Sequence, residues 1–166
     1  MIESLLNEHG PALVAVVWLV GVALVGGLLT EVGPWYEGLR FPRIRPPNWL
    51  FGPAWTTLYI LIGYGGVSAW YAADATQRWE LLAVFAVNTV LNVLWSPLFF
   101  KFKRPDWAFA ELIPFWISVL AVVVTVYTIK PQAALFFVPY LLWVTFAGWL
   151  NLQIVRLNQP FDRRAA

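Results

Sequence analysis

Residues 11–30 run PALVAVVWLVGVALVGGLLT, twenty positions without a charge. Crossing the hydrocarbon core of a bilayer takes about 20 predominantly apolar residues in helical form. This stretch meets that length by itself, and the rest of the chain repeats the pattern. Further apolar segments cover 47–73, 81–100, 107–129 and 133–156, with Glu111 in the first turn of the fourth. Runs of this length exclude the shorter, alternating strands of a membrane β-barrel. Backbone groups in lipid must pair within their own segment, so each run is expected to be helical. The expected fold is an all-α integral membrane protein, a five-transmembrane-helix bundle formed as one domain over residues 1–166, with a long loop at 31–46.

Composition agrees. The chain of 166 residues is 60% hydrophobic and 12% charged, against roughly 25% charged in soluble domains. A soluble core of this size could not hide so much apolar surface. The start is acidic (Glu3, Glu8) and its apolar segment is longer than a leader's, so a retained helix is expected rather than a cleaved signal. No cysteine is present, which removes disulfides, thiolate metal sites and cysteine nucleophiles. The net charge of +2 gives no reason to expect a nucleic-acid partner.

Basic residues set the expected orientation. With five crossings, Arg40, Arg43, Arg45, Lys101, Lys103, Arg104, Arg156, Arg163 and Arg164 share one side, and Arg78 and Lys130 lie on the other. The positive-inside rule then puts the N-terminus out and the C-terminus in the cytoplasm. The long loop is expected to fold over the cytoplasmic mouth of the bundle. No internal duplication of the kind that marks many transporters is evident.

Eleven tryptophans are the second distinctive feature. Those at span ends (Trp35, Trp70, Trp79, Trp107) suit the interfacial belt. Trp55 and Trp143 lie well inside their spans, where an indole N–H needs a partner; a pocket wall and helix packing are both open for them. For Trp95 and Trp149, helix packing is the stronger reading. Asn88 and Asn92 are one turn apart and share a face, and Asn151 lies deep in the last helix. Interhelical hydrogen bonds explain such residues, and a polar end to a ligand pocket is the alternative. Gly21, Gly26, Gly27, Gly63, Gly65 and Gly66 read mainly as admitting close helix approach, with space for a ligand as the less favoured use.

Catalytic chemistry is sparsely provided. No carboxylate lies at mid-span, and Glu111 is expected at the interface. His9 is the single histidine and suits a solvated terminus better than a haem axis. No metal site is expected, because zinc would need three or four ligands. No phosphate-loop, dinucleotide or nucleophile-elbow pattern occurs. Arg40, Arg43 and Arg45 enforce topology and could also pair with the acids of an amphipathic anion.

Three stretches together resemble the TspO/MBR family, the tryptophan-rich sensory proteins related to the translocator protein. The first is Trp35-Tyr36-x-x-Leu39 with Pro46-Pro47-x-Trp49-x-Phe51-Gly52-Pro53-x-Trp55-x-x-Leu58-Tyr59. The second is Asn88 and Asn92 with Trp95-x-Pro97-x-Phe99-Phe100. The third is Pro139-Tyr140-Leu141-x-Trp143, Ala147, Leu150-Asn151 and Arg156-x-Asn158. The resemblance implies a five-helix bundle, an expected homodimer, that binds porphyrins such as protoporphyrin IX or a haem-like tetrapyrrole as ligand, with no cofactor required. It assigns Trp55, Asn88, Asn92, Trp143, Ala147 and Leu150 to the ligand pocket. Tyr59 joins them by lying one turn from Trp55, and Arg40, Arg43 and Arg45 are candidate propionate contacts. Trp55 and Trp143 would be the catalytic pair if light- and oxygen-dependent porphyrin breakdown occurs. A membrane interaction protein that turns over no small molecule is a further alternative. Two departures stand out. Arg43-Ile44 replaces an aromatic that relatives often carry, and 150–156 lacks the tyrosine of the sterol-associated motif, so strong cholesterol binding is not expected. The small residues Ala83 and Ala86 make the third helix a candidate dimer face.

Overall fold

The computed structural model describes residues 2–161, so Arg163 and Arg164 lie outside the described residues. Every regular element among those residues is helical. In chain order these are α1 (Ile2–Leu29), the short α2 (Pro34–Glu37), α3 (Asn48–Ala72), α4 (Ala75–Ser96), α5 (Pro105–Ile129), the short α6 (Pro131–Ala134) and α7 (Val138–Asn158). A π-helical turn at Pro97–Lys101 prolongs α4, and a 3-10 turn at Leu135–Phe137 joins α6 to α7. Four helical segments are long and apolar enough to cross a membrane: His9–Leu29, Ala75–Lys101, Pro105–Ile129 and Pro131–Asn158. The fifth expected span, α3, has 25 uncharged residues. It falls short on composition, because its tryptophans, tyrosines and glycines dilute its aliphatic content.

Several boundaries differ from the sequence expectation, each for a local reason. The first helix begins at Ile2 and runs through Pro11. The third long helix begins at Ala75 rather than 81, because Asp74 and Gln77 form a reciprocal capping box (2.9 and 3.0 Å). Pro105 and Pro131, expected in connections, occupy first helical turns, where a missing N–H does no harm. The loop at 31–46 contains α2. Pro97 cannot donate to the preceding turn, and the chain widens there. Phe102 N–H then bonds the Pro97 carbonyl at 2.9 Å. Lys103 takes a left-handed φ of 54°, which ends the rod before α5.

α5 is the centre of the bundle. Its buried positions Phe115, Val119, Val122 and Val126 join Leu58 and Ile62 of α3, Leu81 of α4 and Tyr140 and Val144 of α7 in one core. α1 lies at the edge, and none of its described residues is buried. Leu19 of α1 packs where Gly63 leaves room, since an alanine Cβ there would sit 2.8 Å from Leu19 Cδ1. Gly65 is tighter, because a Cβ would meet Phe137 Cε2 at 2.6 Å and the Ala133 carbonyl at 3.2 Å. Gly21, Gly26 and Gly27 behave otherwise. Nothing lies within 4 Å of the added Cβ at any of them. The expectation of close helix approach therefore fails in α1, where the glycines leave space.

The loop after α1 is fastened at two points. Asn158, at the end of α7, accepts from the Arg40 N–H and donates to the Arg40 carbonyl, both at 2.8 Å. Arg45 donates to Asn48 Oδ1 at 2.6 Å, and its guanidinium stacks 3.5 Å above the Phe41 ring. Buried Tyr36 packs against Phe41 and Phe100, with ring centres 5.1 and 5.6 Å away.

Gly65→Val should destabilise the protein by ~1–3 kcal/mol through overpacking, whereas Gly26→Ala should change stability by less than ~0.5 kcal/mol. Unfolding of the purified variants measures both, and equal losses would contradict the assignment of packing to one glycine and space to the other. Asn158→Ala removes both hydrogen bonds to the Arg40 backbone, ~1 kcal/mol each. Amide exchange at Arg40 should then quicken about thirtyfold, and an unchanged rate would show that Asn158 does not hold the loop.

Candidate functional site

The bundle encloses an aromatic cavity of about 460 Å³ beneath the loop. Helical periodicity builds its walls. On α3, Phe51, Trp55 and Tyr59 recur one turn apart and share a face. On α7, Trp143, Ala147, Leu150 and Asn151 do the same. α4 and its π-helical extension contribute Asn92, Trp95, Ser96 and Phe99, α1 contributes Gly26 and Gly27 with Thr30 just after it, and Tyr36 comes from α2. The two α1 glycines thus open space on the cavity side of an edge helix.

Aromatic contacts hold the walls in place. Trp55 leans on Tyr59 (5.5 Å between ring centres) and meets Tyr140 edge-on at 6.2 Å. Phe51 meets Trp143 edge-on at 5.8 Å. Trp95 stacks on Phe99 at 5.0 Å and donates its indole N–H to Asn151 Oδ1 at 3.1 Å. Asn151 in turn donates to the Pro105 carbonyl at 2.8 Å. Trp95 and Asn151 are therefore fixed by helix packing although both line the cavity. The indole N–H groups of Trp55 and Trp143 have no hydrogen-bond partner among the described residues.

A second cavity, of about 350 Å³, lies between α1, α3 and α4 in the other half of the bundle. Tyr59 and Asn92 line both cavities, whereas Asn88 lines only this second one. Asn88 is nearly buried. It donates to Ser118 Oγ at 2.9 Å and accepts from the Tyr140 hydroxyl at 3.1 Å. Asn92 donates to the same hydroxyl at 3.1 Å. Trp18 of α1 donates to Thr89 Oγ1 at 2.9 Å across the second cavity.

Of the residues expected at a ligand site, the aromatic cavity gathers Trp55, Tyr59, Asn92, Trp143, Ala147 and Leu150. It gathers none of the three loop arginines. Arg40 and Arg43 are exposed, and Arg45 is half-buried. Arg45 touches the lining residues Tyr36 and Asn48 from the outer side of the loop. Tyr36, Phe51 and Phe99 belong to the motifs quoted above, but the sequence does not assign them to the pocket. Phe51 was findable one turn before Trp55, but nothing local marks Tyr36 as a cavity residue. Glu111 is not interfacial in exposure. Its side chain is buried between packed helices, and neither carboxyl oxygen has a partner among the described residues. No group of three acidic, histidine or cysteine side chains could hold a metal among the described residues. The aromatic cavity is uncharged and offers ring faces, two indole N–H groups, the Tyr59 hydroxyl and the Asn92 carbonyl. Such a surface binds by stacking and single hydrogen bonds.

The comparisons with known proteins agree with this architecture. Residues 13–157 match the model of the TspO/MBR family. Protein CrtK of Rhodobacter capsulatus is 40% identical over 148 residues, covering 86% of this chain and 91% of that one. A tryptophan-rich sensory protein of Cereibacter sphaeroides is 36% identical, covering 83% and 85% respectively. A translocator protein of Sus scrofa is 36% identical over 86% of this chain and 92% of its own. With a family match that takes in every long helix, and relatives aligned over most of both lengths, this chain belongs to the TspO/MBR family of membrane proteins.

Proposed function

We propose that this protein binds a planar tetrapyrrole in the aromatic cavity and acts as a membrane sensor, carrier or regulator of porphyrin levels. The observation that carries this reading is the pairing of Trp55 and Trp143. They come from different helices, line one uncharged cavity, and their indole N–H groups have no hydrogen-bond partner among the described residues. A conjugated macrocycle offers broad ring faces to such walls. Its propionates would emerge toward the loop, where Arg45 is the nearest of the three arginines to lining residues.

Light- and oxygen-dependent porphyrin breakdown is the second reading. It is favoured by the same two indoles, which are oxidisable and line the cavity. It needs no acid–base pair, because the porphyrin itself would absorb the light. A discrete absorbing product, formed only in light and lost in the Trp55→Phe/Trp143→Phe protein, would support it; bleaching at the rate of free porphyrin would reject it.

All five long helices cross the bilayer in this reading, α3 included, with the 31–46 loop and the C-terminus in the cytoplasm. Lipid then surrounds α1 and the exposed face of α4, where Ala83, Ala86, Val87 and Val90 are solvent-free only in a membrane or against a second copy. The homodimer belongs to the same proposal.

Titration with protoporphyrin IX in the dark, followed by tryptophan fluorescence, should give saturable quenching. Each aromatic contact is worth ~0.5–1.5 kcal/mol, so Trp55→Phe/Trp143→Phe should weaken binding about tenfold, while Trp79→Phe should not. Linear quenching shared by all three proteins would mean partition into detergent and would reject the site. Because the chain has no cysteine, topology can be read from single thiols. Arg43→Cys should react with an impermeant maleimide only from the cytoplasm, and Thr76→Cys only from outside. Labelling of both from one side would remove α3 from the spanning helices.

A further inference from the structure

The second cavity lies apart from the two tryptophans that define the aromatic one. It runs along twelve residues, eleven helical rises, of each of three helices: Pro11 to Val22 on α1, Tyr59 to Trp70 on α3, and Leu81 to Asn92 on α4. At 1.5 Å per residue each wall is about 16 Å long. Ala15, Leu19, Ile62, Val67, Leu81 and Phe85 make the walls aliphatic or aromatic, and no charged side chain lines them.

Its polar groups fall into two sets. Asn88, Tyr140, Thr89 and Trp18 are engaged with protein partners. The Tyr59 hydroxyl and Asn92 Oδ1 have none among the described residues, and both lie at the same end of the cavity. One free donor and one free acceptor, at the end of an otherwise apolar slot, complement a single hydroxyl. Such a hydroxyl accepts from Tyr59 O–H and donates to Asn92 Oδ1. An ionised head group fits poorly, because burying a carboxylate without a cation is strongly unfavourable.

The geometry points to a second ligand site that takes a neutral aliphatic alcohol, its hydroxyl between Tyr59 and Asn92 and its chain along α3 toward Trp70. This site shares Tyr59 and Asn92 with the aromatic cavity but draws on neither Trp55 nor Trp143, the pair that carries the tetrapyrrole reading.

Bromoundecanol, with hydroxyl and bromine at opposite ends, tests it. Bromine quenches indoles at contact, and Trp18 and Trp70 flank the chain's path. In protein reconstituted into lipid nanodiscs, quenching should saturate. Tyr59→Phe removes one hydrogen bond and should weaken binding about fivefold. Ala15→Phe fills the slot and should abolish the saturable component. Bromoundecane, which lacks the hydroxyl, should respond identically to wild type and Tyr59→Phe, and bromoundecanoic acid at neutral pH should show no saturable component. Quenching by the alcohol that never saturates, or that saturates alike in wild type, Tyr59→Phe and Ala15→Phe, would overturn the site. Saturable binding of the ionised acid would overturn its assignment to a neutral alcohol.

Discussion

The hydroxyl of Tyr140 ties three helices together at the level where the two cavities meet. It accepts from Asn92 and donates to Asn88, both on α4, and Asn88 passes the connection to Ser118 on α5. In surroundings with no water to compete, an unpaired polar group is costly, so these groups constrain the register of α4, α5 and α7. Asn151 plays the same part nearer the loop, joining Trp95 of α4 to the start of α5. Individual interhelical bonds of this kind contribute only about 1 kcal/mol. Their larger effect is to fix where α3 and α7 present their aromatic faces.

Pairing so many polar groups makes the unpaired ones informative. The indole N–H groups of Trp55 and Trp143, the Tyr59 hydroxyl and the Asn92 carbonyl stand at cavity walls without hydrogen-bond partners among the described residues. They are the positions at which a bound molecule gains most, since its own polar groups would replace a missing partner. α1 makes both cavities possible. It packs against the bundle through Leu19 at Gly63 and Trp18 at Thr89. At Gly21, Gly26 and Gly27 no neighbour lies within 4 Å of where a Cβ would stand.

The loop closes the aromatic cavity without lending it charge. Asn158 holds its backbone and Arg45 holds its aromatic cluster. Arg45 is occupied by Asn48 and the Phe41 ring, while Arg40 and Arg43 face outward. The interior therefore favours apolar, flat or aliphatic molecules, and an anion can be met only at its rim.

The all-helical class was legible in the sequence, because uncharged runs such as 11–30 admit no other backbone arrangement in lipid. Residue period also told which side chains share a face: Trp55 with Tyr59, Asn88 with Asn92, Trp143 with Ala147. The capping signal Asp74-Ala75-Thr76-Gln77 was present too, although hydropathy masked it and moved the expected start of α4 to 81. Facing partners could not be read in this way. The glycines of α1 and α3 look alike in sequence, yet Gly65 abuts Phe137 and Gly26 abuts nothing, because that difference belongs to the neighbouring helix. Asn88 and Asn92 share a face, but the sequence does not show that both bond the hydroxyl of Tyr140, forty-eight residues beyond Asn92. The sequence by itself determined helices, faces and the apolar character of the interior, all set by local periodicity. The tertiary structure alone decided which faces meet, which polar groups remain unpaired and where the two cavities lie, because those depend on side chains brought together from distant parts of the chain.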